Sequence, residues 1–301
     1  MFRIILEQLA LLFSFMIIGW IFGKSGKIDP KQTRVLSTLC TFLFLPMNTF
    51  RTYSSNFNLP YLQKYWVLLV MAVTLLVFNL IFAKLASKKL GRNEYDTMVI
   101  EYSLMVPNYA YMGYALAEGL FGQSGLLNLM MFVPPTTVYI YGYAYGRLTH
   151  IQGSTFKRVF NISIIAMLIG AAVGLSGVQL PAVVSTVATK ASGCLAPISM
   201  LLAGVTISEF DLKALLTDKV AYALAALRLA VIPGLVLLLG HLVQLDPVLI
   251  RTAVLFFAMP CGLNPIVFSK QVGEDSRPGA RYAFISNMLC LITLPIFVSL
   301  I

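Results

Sequence analysis

The stretch Met259-Pro-Cys-Gly-Leu-Asn-Pro-Ile-Val-Phe-Ser-Lys-Gln-Val-Gly273 lies inside an apolar segment, 247–272, that is long enough to cross a bilayer. Two prolines, a glycine and an asparagine interrupt it. Pro260 and Pro265 lack backbone N–H donors and crowd the turn before them, so the helix is expected to break here. In hydrocarbon each freed amide or carbonyl costs several kcal/mol unless a partner satisfies it. Such breaks therefore survive at membrane depth only where they pack inside protein or line a polar cavity. A second break, Val106-Pro-Asn-Tyr-Ala-Tyr-Met-Gly113, stands at nearly the same place in the first half of the chain.

The rest of the chain fits a membrane. Hydrophobic residues make up 58% and charged residues 11% of the 301 positions, and the mean hydropathy is +0.83. Soluble domains carry about 25% charged residues, so the chain reads as an integral membrane protein. Its apolar runs do not alternate, which selects helices over barrel strands. The net charge of +10 has no aromatic-interleaved basic stretch behind it, so nucleic acid is not an expected partner; membrane lipid is. Cys40, Cys194, Cys261 and Cys290 fall in apolar segments without metal-like spacing and read as small packing residues. Glu7 and the lack of a small-residue cleavage site keep the first apolar run as a span.

Ten spans are expected, at 4–22, 34–50, 64–85, 96–121, 126–147, 159–177, 182–207, 217–240, 247–272 and 279–300, the fourth and ninth broken. The loops after the odd spans hold 16 of the 22 lysines and arginines, from Lys24, Lys27, Lys31 and Arg34 to Lys270, Arg277 and Arg281. The opposite loops hold Arg51, Lys64, Lys190 and Arg251. Positive charge stays inside, so the odd loops are expected in the cytoplasm and both termini outside, in the plasma (inner) membrane.

The chain also repeats itself. Gly23-x-Ser25-Gly26 with Pro30 recurs as Gly174-x-Ser176-Gly177 with Pro181, and Pro46 with Asn48 recurs as Pro197 with Ser199, both 151 residues on. The break at Pro107 recurs 153 residues on at Pro260. Two five-span repeats, 1–150 and 151–301, follow. Because five is odd, they insert with opposite orientation, as in secondary transporters.

Pro46 with Asn48, Asn108-Tyr-Ala-Tyr-Met-Gly113, Ala196-Pro-Ile-Ser199 and Met259-Pro-Cys-Gly-Leu-Asn-Pro-Ile-Val-Phe268 resemble the auxin efflux carrier family, which includes bacterial relatives annotated for malate or malonate. The resemblance spans the chain. It implies a fold similar to the sodium/proton antiporters and bile-acid symporters, all-α with ten helices and spans 4 and 9 crossed at the midplane. It further implies a scaffold of spans 1, 2, 6 and 7 and a transport domain of spans 3–5 and 8–10. Where the family often has Gly-x-Pro in the first break, this chain has Gly113-Tyr114-Ala115, so that proline's role carries over to Pro265 alone.

Asn108 and Asn264 stand beside the breaks, where an amide either caps its half-helix or donates to and accepts from a solute. Tyr109 and Tyr111 either meet the solute or pack as aromatics. With Gly113, Cys261, Gly262 and Pro265 they make the candidate substrate site. Pro107 and Pro260 shape the crossover; Pro46 and Pro197 either kink their helices or, with Asn48 and Ser199, form the scaffold wall. Ionisable groups within spans are functional candidates. Arg228 either balances an anionic substrate or snorkels, and Glu101 either takes up a proton or pairs with a cytoplasmic cation. For Glu101 the expected cytoplasmic cation is a lysine; Glu118 and Lys270, beyond the two breaks, read as structural. There is no Gly-x-Ser-x-Gly, zinc-type cluster or Walker motif, so no enzyme, metal or cofactor is expected. The chain is expected to be a secondary transporter of a small organic anion, a carboxylate, working by alternating access, with a homodimer left open. The alternatives are a proton- or sodium-coupled carrier of a neutral or indole-like solute and a membrane ligand sensor.

Overall fold

The computed structural model describes residues 2–29, 33–150 and 159–301, with no side-chain description for Gln271. Of the residues used above, Pro30 and Lys31 lie outside the described ones, as do Lys157 and Arg158, two of the 16 odd-loop cations. Helices dominate, and among the described residues no strand forms.

Among the described residues six helices are long and apolar enough to cross a membrane: Phe2–Lys24, Leu59–Leu90, Tyr109–Thr149, Ala182–Ser208, Lys219–Leu242 and Arg277–Ser299. The sequence pattern predicts ten, and the difference has local causes. The ninth span is divided into Pro247–Ala258 and Asn264–Val272, and the fourth loses its first part as Glu94–Met105. The sixth forms only the 15 residues Ile162–Ser176. The second runs through the π-helical turn Cys40–Phe44 into Leu45–Asn56, which carries Arg51 and several hydroxyl and amide side chains. Conversely, Tyr109–Thr149 takes in the fifth predicted span as well as the end of the fourth. Gly122, at φ 67° and ψ −163°, folds that stretch at the predicted loop, in a backbone region that glycine alone adopts readily.

Two wide turns have a common origin. Cys40–Phe44 and Leu227–Val231 are each followed within two residues by a proline, Pro46 and Pro233. The missing N–H deletes a bond to the turn before, which opens to a π turn.

Lipid gives helices no hydrophobic reason to associate, so small residues that admit close backbone contact decide the packing. Phe2–Lys24 packs along Leu195–Ser208, and Leu45–Asn56 along Ile162–Ser176. A Cβ on Gly19 would lie 2.1 Å from the Leu201 carbonyl oxygen, and one on Gly23 would lie 1.9 Å from Ser208 Oγ. A Cβ on Gly170 would lie 2.9 Å from the Phe50 carbonyl oxygen, and one on Gly174 would lie 2.2 Å from that of Phe57. Gly170 and Gly174 follow Gly19 and Gly23 by 151 residues, and Leu201 and Ser208 follow Phe50 and Phe57 by the same 151. One packing motif thus occurs twice, with the roles of the halves exchanged. Likewise Val67–Leu90 packs on Glu94–Met105, and Ile232–Leu242 on Pro247–Ala258. Both half-helices are buried for most of their length, which places the breaks in the protein interior.

Candidate functional site

The two breaks meet. Val106 is extended (φ −112°, ψ 106°), as is Met259 (φ −71°, ψ 149°), and Pro107 forms an antiparallel bridge with Cys261. The Asn108 N–H donates to the Pro260 carbonyl at 2.8 Å, and the Cys261 N–H to Ser286 Oγ at 3.0 Å. Pro260 therefore contributes an acceptor, and neither proline has an N–H to leave stranded. Beyond the first break the chain restarts as the π turn Tyr109–Gly113, whose Met112 and Gly113 N–H groups donate to the Asn108 carbonyl. Gly113 is fitted against Met259: a Cβ there would lie 2.2 Å from the thioether sulfur. Gly262 lies close to the Pro107 backbone, where a Cβ would make ordinary contact at 3.6 Å.

Arg228 completes the crossing. It is 0% exposed, and its guanidinium serves the C-terminal ends of both half-helices. Nη1 donates to the Leu104 carbonyl at 2.8 Å, Nε to that of Met259 at 3.1 Å, and Nη2 to that of Phe256 at 3.4 Å. Asn79 Nδ2 adds a second donor to Leu104 O at 3.0 Å. A helix C-terminus carries about half a negative charge, so two of them roughly balance one guanidinium. Among the described residues no carboxylate pairs with Arg228. The helices that restart at Tyr109 and Asn264 begin two and three residues after the bridged Pro107 and Cys261, so their positive N-terminal ends lie beside the crossing.

The other candidates are distributed around this crossing. Asn264 Nδ2 donates to the Tyr102 hydroxyl at 2.8 Å. Ser199 Oγ, fully buried, donates to the Ala196 carbonyl at 3.0 Å and approaches that of Tyr111 at 3.4 Å. Pro46 and Pro265 are buried, and Pro197 is half-buried. Glu101, of the proton candidates, is buried and accepts from Arg147 Nη1 at 3.0 Å and from the Tyr139 hydroxyl at 3.2 Å. Its partner is thus an arginine that the sequence places in a loop. Glu118 pairs with Arg51 at 3.3 Å and Lys270 with Glu209. The four cysteines are free thiols, with Cys194 exposed.

Two cavities flank the turn after the first break. The larger, about 450 Å³, is walled by tyrosines 53, 109, 114, 141 and 145 together with Thr41, Thr137 and the start of Ile162–Ser176. The smaller, about 220 Å³, includes Gln8, Asn48, Tyr111, Tyr114, Glu118 and Ser192. Of the residues singled out from sequence, Tyr109 belongs to the first wall and Tyr111 and Asn48 to the second; Asn108 and Asn264 line neither. Thr41, Thr137 and Tyr114 carry no signal in a single sequence, since hydroxyls and aromatics also occur in helices as plain packing residues.

Interrupted helices crossing in the interior of an apolar helical bundle, with cavities beside the crossing, define a membrane transport protein. The family model described as membrane transport protein matches residues 4–152 and 147–298, nearly the whole chain. The chain belongs to that family, the one of the auxin efflux carriers, and is a multi-pass membrane protein. It is similar to an uncharacterized transporter of Methanothermobacter thermautotrophicus, 23% identical over 220 residues, which covers 71% of this chain and 72% of that one.

Proposed function

We propose that the protein is a secondary carrier that moves a small organic anion across the plasma membrane by alternating access. The observation that carries this reading is the charge arrangement at the crossing. Arg228 offsets the two helix C-termini, and among the described residues no acid is ion-paired or hydrogen-bonded at the two restarts, Tyr109 and Asn264. A carboxylate is the solute such a field attracts. In this reading the repeats 1–150 and 151–301 form an inverted pair of five helices each, which the doubled glycine packing supports. The scaffold holds spans 1, 2, 6 and 7, the spans so joined, and spans 3–5 and 8–10 move against it. Both termini are outside.

A second reading has one observation in its favour. Five tyrosines, Tyr53, Tyr109, Tyr114, Tyr141 and Tyr145, wall the larger cavity, which suits an indole-like or other aromatic solute, neutral and coupled to protons or sodium. A thermal-shift series with malonate, malate, acetate and indole-3-acetate separates the two. A ligand at 100 times its Kd adds about 2.7 kcal/mol of stability. Dicarboxylates are expected to raise the melting temperature; a response to the indole alone would favour the second reading, and no response to any of them would count against both.

Asn108 and Asn264 supply the next test. Each stands at the start of a restarted helix, and both are proposed to contact the solute. Asn→Ala at either site removes amide contacts of about 0.5–1.5 kcal/mol, roughly a two- to twelve-fold loss of affinity. Asn→Asp keeps the shape and adds a negative charge, so it is expected to abolish anion uptake where Ala only weakens it. Alanine variants at both sites that transport normally would make the asparagines plain helix caps.

A further inference from the structure

We infer that the smaller cavity is a second solute-binding station, held by Asn48, and that Tyr114 is the partition a solute passes between the two cavities. This rests on the carrier reading above. Tyr114 is the one described residue that belongs to both walls. It is 6% exposed and packs edge-on to Tyr109 at 5.8 Å. The chain leading to it serves the cavities in turn. Tyr109 faces the larger, Ala110 and Tyr111 face the smaller, and the widened turn then delivers Tyr114 between them.

Asn48 points to a ligand in the smaller cavity. It is 4% exposed, stands in the cavity wall, and its amide has no hydrogen-bond partner among the described residues. An amide that stands in a cavity wall with no partner from the chain is available to donate to and accept from what fills that cavity. A carboxylate or hydroxyl of a small solute matches the Nδ2 donors. Arg51 Nη1, at 3.3 Å from both Ser192 Oγ and Glu118 Oε1, forms an ion pair without net charge beside the same wall.

The cavities also differ in reach along the helices: the larger runs from Tyr53 and Met130, at the outer ends of the second and fifth spans, to the inner end of the fifth. The larger reaches Asn161 and Tyr145, next to the loop after the fifth span, which the charge pattern puts in the cytoplasm. The smaller reaches Gln8, near the N-terminus, on the opposite side in the same topology. One station on each side of Tyr114 gives a solute a place to rest in each half of the cycle.

Labelling with a membrane-impermeant maleimide tests this in right-side-out and inside-out vesicles. The background is Cys194→Ser, because the other three thiols are buried. Ala115→Cys in the smaller wall should react in one orientation and Thr137→Cys in the larger wall in the other. Tyr114→Ala should let each react in both orientations, at least ten-fold faster on the formerly closed side, while Tyr114→Phe keeps the parent pattern. Reaction of both cysteines from the same side of the parent, or no opening in Tyr114→Ala, would overturn the partition. If Tyr114→Ala does not fold, Tyr114→Leu takes its place, and the parent pattern decides the sidedness alone. With radiolabelled malonate, Asn48→Ala should raise the KM roughly two- to twelve-fold only in the orientation that labels Ala115→Cys. An equal change in both orientations, or none, overturns the Asn48 station. A parent that takes up no malonate overturns the Asn48 station together with the anion reading, and leaves the labelling to decide Tyr114.

Discussion

Arg228→Gln is expected to abolish transport and to lower the melting temperature more than any other single change at the crossing. The guanidinium makes three hydrogen bonds to carbonyls at the ends of two separate half-helices, at 0% exposure. Hydrogen bonds to charged groups contribute about 1.5–3 kcal/mol each. Glutamine keeps one amide donor group and no charge, so at least one buried carbonyl end loses its partner and both helix dipoles lose their counter-charge. Arg228→Lys is expected to lie between parent and Gln, because a point ammonium restores charge but cannot reproduce the planar fork. Thermal unfolding in detergent and uptake into proteoliposomes read the two effects separately. A Gln variant with parent stability and flux would remove Arg228 from the machinery.

The second large effect is expected from Gly204→Ala. A Cβ there would lie 1.9 Å from the Met16 carbonyl oxygen and 2.7 Å from the Trp20 nitrogen, both backbone atoms that no rotamer change can move. The first helix must shift off Leu195–Ser208, and overpacking of this kind typically costs about 1–3 kcal/mol, with backbone clashes at the upper end. Gly19→Ala meets the Leu201 backbone at 2.1 Å and should behave alike. Gly193→Ala, with nothing within 4 Å of its Cβ, is the matched control and should be neutral or slightly stabilising. Comparable melting temperatures for Gly204→Ala and Gly193→Ala would contradict the close helix contact.

The breaks were legible because proline and glycine act through the backbone, and their chemistry does not depend on neighbours distant in sequence. The 151-residue offset was legible for the same reason, and it reappears in the glycine contacts. Partners were another matter. Arg228 reads as an isolated mid-span charge, and nothing in the sequence reveals that its acceptors are carbonyls of Leu104, Phe256 and Met259. Glu101 shows no mark of Arg147, which counts as a loop cation until the fold brings it to 3.0 Å. Fewer uninterrupted long helices than expected spans occur among the described residues because hydropathy registers an apolar run whether or not a proline, a π turn or a glycine fold divides it. Tyr114 went unnoticed because an aromatic in an apolar helix has packing as its ordinary explanation.

Carrier function itself is tested most directly by flux with the purified protein in liposomes. Radiolabelled malonate uptake is expected to saturate with concentration and to accelerate when unlabelled malonate is loaded on the opposite side. Reorienting sites that must return give that trans-acceleration, and Arg228→Gln should eliminate it. Uptake that rises linearly with concentration and ignores solute on the far side, or no uptake of any solute that stabilises the protein thermally, would contradict an alternating-access carrier.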